Sequence, residues 1–412
     1  MRRGGAELES RILILVTLAL VAFGVVMVYS ATSASAAVGG SNPNYYLERQ
    51  GIYAVLGITL MVIAQRWDYR RLRVITPALV IGSLAALVAV LVIGPAINGA
   101  HRWIAVGPAV FQPSEFSKLA LGIWAATYLS RHRAPRTLAE LGRPVGLLAC
   151  TYAALVIIEP DLGTAITLFV MLAAILLVAG TPARVLGVAL GGAGALGTLA
   201  IWMEPYRRAR FFAFLHPWND AQGTGFQIVQ AKIGMGSGGI FGVGLGQGVQ
   251  KIFYLPEAHT DMMLANIGEE MGLLGVGIVI VAYAAFAYAG LRLALGCRDP
   301  FGKLLGVGLT VLVAGQATIN MAAVLGVAPL PGIPLPFLSY GGSSLVVLLA
   351  SVGILLNIGA RGNTQTASVR DRGRRDSGTR AVGAGGGGGA DGTRRVRDTR
   401  RVAGSRRSTA RP

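Results

Sequence analysis

Residues 254–272 read YLPEAHTDMMLANIGEEMG, and from Met262 onward an apolar run extends to about residue 291. Glu257, His259 and Asp261 stand together directly before it. A run of that length is long enough to cross a hydrocarbon core about 30 Å thick. Ionisable groups at such a boundary are costly unless they serve a purpose. The stretch therefore points to a membrane-spanning helix with a polar site at its start.

The rest of the chain agrees. Of 412 residues 53% are apolar and 14% charged, and the mean hydropathy is +0.59, which excludes an ordinary soluble domain. Apolar runs recur at about 11–33, 51–65, 74–94, 113–130, 145–158, 163–180, 184–202, 262–291, 303–325 and 341–358. The expected fold is an all-α integral membrane protein with ten transmembrane helices and a large extracellular loop, 203–260, between helices seven and eight. Residues 1–10 precede the ten-helix domain (11–360) and residues 361–412 follow it. Arg2 and Arg3 ahead of the first run, and SATSASAAV after it, imitate a cleaved signal, but the run exceeds the usual signal core. Cys150 falls in a span and Cys297 in a loop, so no structural disulfide is expected.

Loop arginines orient the spans. Arg66, Arg70, Arg71, Arg73, Arg131, Arg133, Arg136, Arg143, Arg184, Arg292, Arg298 and Lys303 all fall on one side. The positive-inside rule places that side, and both termini, in the cytoplasm. Arg207, Arg208, Arg210, Lys232 and Lys251 then lie in the outer loop, against the rule, and become candidates for binding an anion. Residues 361–412 hold 14 Arg against 4 Asp, which is +10 of the total +18 and leaves +8 for the rest. With its glycine run Gly385–Gly389 this tail reads as disordered. It suits anionic membrane lipid or an acidic cytoplasmic partner. No aromatic or folded motif accompanies it, so no nucleic-acid partner is expected.

Four polar motifs open spans that run from outside to inside: QPSEFSK (Gln112–Lys118), EPDLGT (Glu159–Thr164), HTD (His259–Asp261) and SYGGSS (Ser339–Ser344). Four helix N-termini, each with unpaired N–H groups and partial positive charge, would gather at the outer face, which suits an anionic ligand. Ser339 and Ser343 would offer hydroxyl donors, and Arg102, Arg207 and Arg210 fork-shaped donors matched to phosphate oxygens. Plainer readings stand beside these. Ser and Asp at helix starts are ordinary caps. Glu115 and Lys118, three apart on one helical face, suit a structural ion pair as well as a ligand pair. Trp103 and Trp218 suit the interfacial belt. GMGSGGIFGVGLGQG (Gly234–Gly248) lacks a GK[ST] ending and reads as a tightly turning re-entrant or surface element rather than a nucleotide loop. The preceding FQIVQAKIG has helical spacing and suits a short interfacial helix.

Taken in order, NGAHRWI at Asn98, FQPSEFSK at Phe111, EPDLGT at Glu159, EPYRRAR at Glu204, GTGFQIVQ at Gly223, YLPEAHTD at Tyr254 and PLPFLSYGGSS at Pro334 resemble the SEDS family of membrane glycosyltransferases. The resemblance covers nearly all of residues 11–360, and favours the division branch over the elongation branch. Met262 and Met263 depart from the aromatic and branched residues that usually follow HTD. The resemblance implies polymerisation of peptidoglycan: the GlcNAc 4-hydroxyl of one lipid II attacks C1 of MurNAc on a growing chain and expels undecaprenyl diphosphate with inversion. It further implies a class B penicillin-binding protein and other divisome proteins as partners.

A diphosphate is already a good leaving group, so one base and several cations suffice where a glycosidase needs two carboxylates. On the residues alone Asp261, Glu257, His259 and a plain helix cap compete at this position; the resemblance selects Asp261 as the catalytic base. Glu257 and His259 become its neighbours in substrate binding. Arg102, Arg207, Arg210, Lys118 and Lys251 are the diphosphate candidates, with Trp103, Glu115, Ser339 and Ser343 also at the substrate. Glu269 and Glu270 lie about 12–14 Å deeper and suit a structural or relay role. No cofactor is required, and Mg²⁺ or Mn²⁺ at the diphosphate is left open. A lipid II flippase or other transporter is the rival reading, but its charged residues would crowd the bilayer midplane rather than one face. A non-catalytic scaffold would explain the tail and leave the outer motifs unexplained.

Overall fold

Hydrocarbon offers no partner to a backbone N–H or C=O, so each apolar run closes its hydrogen bonds within itself as a helix. The computed structural model describes residues 3–38, 42–95, 101–107, 109–252, 255 and 258–362. The helices are α1 (Arg3–Val38), α2 (Tyr45–Arg66), α3 (Leu72–Ile93), α4 (Pro113–Leu129), α5 (Leu138–Leu141), α6 (Leu147–Ile158), α7 (Leu162–Ala179), α8 (Ala183–Met203), α9 (Pro205–Leu215), α10 (Phe226–Gly238), α11 (Met263–Gly296), α12 (Pro300–Val324) and α13 (Gly342–Arg361). A two-stranded antiparallel hairpin, β1 (Ile104–Val106) and β2 (Ala109–Phe111), precedes α4 with Ile104 opposite Phe111.

Each of the ten expected spans coincides with a helix. Nine helices among the described residues are long and apolar enough to cross a membrane. The tenth, α4, has 17 residues, about 26 Å at 1.5 Å per residue, and carries Glu115 and Lys118 on a thoroughly buried helix. The expected basic tail lies beyond the described residues from 363 onward, as do Tyr254 and Glu257.

Small residues let the helices close on one another, as membrane bundles require. The α2–α13 pair meets at Gly353, where a Cβ would lie 2.2 Å from the Met61 carbonyl oxygen. Buried side chains from α1, α4, α7, α11, α12 and α13, including Leu13, Leu121, Met171, Phe286, Leu312 and Leu348, form one continuous core.

Helix α11 is broken. Gly272 has φ 65° and ψ −161°, a conformation reserved almost wholly for glycine. The backbone groups released there find partners in the glycine-rich segment after α10. Val243 N and Gly244 N donate to the carbonyls of Glu269 and Glu270 at 3.0 Å each, and Leu273 N and Leu274 N donate to Gly239 and Ile240 at 2.9 and 3.2 Å. Gly234–Gly248 therefore packs against α11 at its break. Helix α10, expected in the interface, packs along the first half of α11 with Ile228, Val229 and Ala231 buried.

Candidate active site

The four motif-bearing helix starts meet at one end of the bundle. Ser343 Oγ accepts from Gln112 N (3.1 Å) and donates to the Val110 carbonyl (2.9 Å), joining the starts of α13 and α4. A Cβ on Gly163, at the start of α7, would stand 2.4 Å from the Pro331 carbonyl oxygen, so the α12–α13 connection lies directly on that helix start. Tyr340 N donates to the His259 carbonyl at 2.8 Å, bringing the approach to α11 against the approach to α13.

Asp261 is half-buried, two residues before the first residue of α11, with Met262 as the cap. Asn320 Nδ2 holds its carbonyl at 2.9 Å. Its carboxylate faces Gly332: a Cβ built there would lie 3.7 Å from Asp261 Oδ2 and 4.0 Å from Arg210 Nη1. Helix α9 thus brings one expected cation to the same glycine as the expected base. His259 is half-buried, its ring 4.9 Å from that of Tyr46 and 5.8 Å from that of Tyr340.

The other cations are placed differently. Arg102 is half-buried and holds main-chain oxygens, its Nε donating to the Glu159 carbonyl (2.8 Å) and its Nη2 to that of Pro160. Arg207 Nη2 donates to the Ile157 carbonyl at 3.0 Å. Both arginines therefore brace the end of α6, where helical carbonyls lack intrahelical donors. Lys118 is fully buried between Glu115 Oε1 and Gln316 Oε1, 2.8 Å from each. That geometry is the structural ion pair the spacing allowed.

Lys251, expected in the outer loop, is buried against the first third of α11. Its Nζ lies 2.7 Å from Glu270 Oε1 and 3.0 Å from Ser30 Oγ of α1. The packing of the glycine-rich segment at the break in α11 carries it there. Glu269 receives Val249 N at 2.8 Å and Gln250 N at 3.2 Å, so the deeper glutamate pair anchors this segment. Ser339 is buried and its Oγ accepts from Leu335 N at 3.0 Å, stapling its own loop. Trp103 is half-buried just before β1.

Residues that the motif reading left without a role stand out here. Asp161 caps α7 through Thr164 N (3.0 Å) and Thr164 Oγ1 (2.7 Å). Its neighbour Glu159, at the corner between α6 and α7, is fully buried, and neither carboxylate oxygen has a hydrogen-bond partner among the described residues. Burial pushes its carboxyl up to about 8, Asp161 adds to the rise and Arg102 opposes it. Gln316 and Asn320, buried one turn apart on α12, bind the carbonyls that shape the site. Two amides in an otherwise apolar span were the available signal. Among the described residues no group of three His, Cys, Asp or Glu is arranged to hold a metal.

The geometry therefore brings a carboxylate and a guanidinium to one glycine, rimmed by helix N-termini. Residues 10–364 match the family described as "Cell cycle protein", that of FtsW, RodA and SpoVE. The chain is 42% identical over 354 residues to the "Probable peptidoglycan glycosyltransferase FtsW" of Geobacter metallireducens, covering 85% of this chain and 94% of that one. It is 38% identical over 353 residues to the stage V sporulation protein E of Bacillus subtilis, covering 84% and 96%. Among solved structures it resembles a chain of a peptidoglycan synthase complex that coordinates polymerization and crosslinking, with TM-score 0.71, 32% identity and coverage of 85% and 98%. It also resembles the rod shape determining protein RodA of Thermus thermophilus, with TM-score 0.62, 28% identity and coverage of 85% and 97%.

Proposed function

The chain belongs to the FtsW, RodA and SpoVE family of multi-pass membrane proteins, and from that premise we propose that it polymerises peptidoglycan at the division septum. It is a lipid II glycosyltransferase. The GlcNAc 4-hydroxyl of lipid II attacks C1 of the terminal MurNAc of the growing glycan, the new β-glycosidic C–O bond forms, and the bond to undecaprenyl diphosphate breaks with inversion. Asp261 accepts the hydroxyl proton, and the departing diphosphate carries away the bonding electron pair.

The observation that carries this reading is the convergence of Asp261 and Arg210 on Gly332, each within about 4 Å of a Cβ built there, at the meeting point of four helix starts. A positioned carboxylate contributes about 10²- to 10⁴-fold as a general base. Arg210 and the N-termini of α7 and α13 supply positive potential where negative charge grows on the diphosphate. Arg102 and Arg207 act one layer out by fixing the corner from which α7 starts. The basic loops lie at the opposite ends of the helices, which supports cytoplasmic termini and an outward-facing site in the bacterial plasma membrane. By analogy with the synthase complex it resembles, the chain works with a class B penicillin-binding protein and, through it, with other divisome proteins.

Purified full-length protein and labelled lipid II test the assignment, alone and with the partner transpeptidase. Glycan chains form with the native protein and are lost, by at least about 100-fold, in Asp261→Ala. Undiminished polymer in that variant removes Asp261 from the mechanism. Lipid II crossing liposomes without polymer replaces the polymerase with a transporter.

A further inference from the structure

The α12–α13 connection is held by two buried amides. Gln316 Nε2 donates to the Pro334 carbonyl at 2.9 Å, while its Oε1 accepts from Lys118 Nζ. One turn later, Asn320 Nδ2 donates to the Ile333 carbonyl at 2.8 Å and to the Asp261 carbonyl at 2.9 Å. Asn320 is 1% exposed, and its Oδ1 has no partner among the described residues. Chemistry fixes the orientation of this amide, because the reversed one would set its oxygen against two carbonyl oxygens. Carbonyls this deep need donors, so the amide is a constraint rather than a chance contact.

The two carbonyls it joins are specific ones. One belongs to Asp261. The other belongs to Ile333, the residue after Gly332, and Gly332 is the point that the Asp261 carboxylate and the Arg210 guanidinium both face. A single side chain therefore ties the backbone of the base to the backbone beside which the base and its cation converge. We propose that Asn320 is a positioning residue for the transfer reaction, holding the Asp261 carboxylate in register with Arg210 and the loop 331–334. This deepens the polymerase reading and rests on it.

Loss of this clamp lets the base drift by fractions of an ångström while the substrate-binding surface stays in place. A misplacement of that order lowers turnover by about 10- to 100-fold. The test uses the full chain with labelled lipid II and compares native protein, Asn320→Leu and Asp261→Ala, with kcat and KM expressed per folded molecule. In Asn320→Leu, kcat falls about 10- to 100-fold and KM stays within about twofold. A residue that serves stability alone lowers the folded yield and leaves kcat per folded molecule unchanged; that result, or a raised KM at native kcat, overturns the proposal. Asn320→Ala, which removes both donated bonds without added bulk, replaces the leucine variant where the latter does not fold, and the same two constants decide. Native protein that makes no polymer, or Asp261→Ala that makes it normally, refutes the polymerase reading instead. Native activity, a dead Asp261→Ala and an unimpaired Asn320→Leu refute only the positioning role.

Discussion

Replacing Lys251 by methionine separates its expected place from its observed one. In an outer loop, a lysine that binds diphosphate would be exposed, and its loss would weaken substrate binding while leaving stability unchanged. In the structure its side chain is 1% exposed, its Nζ is 2.7 Å from Glu270 Oε1, and the Glu270 side chain is 0% exposed. Lys251→Met keeps the aliphatic stem and leaves a buried carboxylate without its cation. Breaking a buried pair from one side costs about 3–5 kcal/mol. Ser30 Oγ at 2.6 Å and Gly246 N at 3.0 Å still donate to Glu270, which puts the expected loss near the lower end, about 3 kcal/mol. At about 2 °C per kcal/mol that lowers the melting temperature by about 6 °C. Adding Glu270→Gln to Lys251→Met removes the orphaned charge and recovers most of the loss. Thermal melting in detergent reads the stability, and polymerisation per folded molecule reads the site. A Lys251→Met protein that melts within about 1 °C of native but needs far more lipid II would refute the burial argument and return Lys251 to the substrate.

Two further outcomes follow from single residues. Glu159 has its carboxyl raised from 4.5 to about 8, so the folded state holds the proton more tightly than the unfolded chain. The stability this contributes is complete below about 4.5 and is lost as pH rises to about 8. Glu159→Gln should therefore melt above native at pH 8, and the gap should close towards pH 5; equal curves across that range would show that the carboxyl titrates normally. Gly272→Ala places a Cβ 2.4 Å from the Ile240 carbonyl oxygen at a φ of 65°. The backbone strain alone is about 1–3 kcal/mol, so the variant should give little folded protein; native yield and activity would mean that α11 tolerates another path at its break.

The spans were legible because their cause is local. An apolar run of 20 residues must bury its own backbone hydrogen bonds, and it announces this without reference to the rest of the chain. The clustering of helix starts was legible for a related reason: once the number of spans is known, alternate motifs must share a face. Its place before α11 made Asp261 one candidate beside Glu257 and His259, and the family resemblance selected it. Arg210 was one of several equivalent outer cations, and nothing in EPYRRAR distinguishes it from Arg207, which turns back to the Ile157 carbonyl instead.

The burial of Lys251 is not legible in the sequence, because its position depends on the break at Gly272, 21 residues further along the chain, and on a segment whose glycines fit several paths. The backbone partners of Ser339 and Ser343 are equally hidden, because a hydroxyl's partner cannot be read from its neighbours in sequence. In the fold, Ser343 binds backbone more than 230 residues away. Asn320 and Gln316 were visible only as polar interruptions of an apolar run.

The amino-acid sequence sufficed for a bundle of membrane-spanning helices and for the shared end at which the motif-bearing helix starts gather, and it offered Asp261 as one of the acids there. Helical periodicity, charge asymmetry and helix-end chemistry each act within a few residues. Tertiary structure decided which cation faces that acid, which buried amide holds it, and which charges turn inward to pair with one another. Those outcomes depend on distances between segments tens to hundreds of residues apart, and in a low-dielectric interior a difference of one or two ångströms decides whether a lysine meets a substrate or a glutamate.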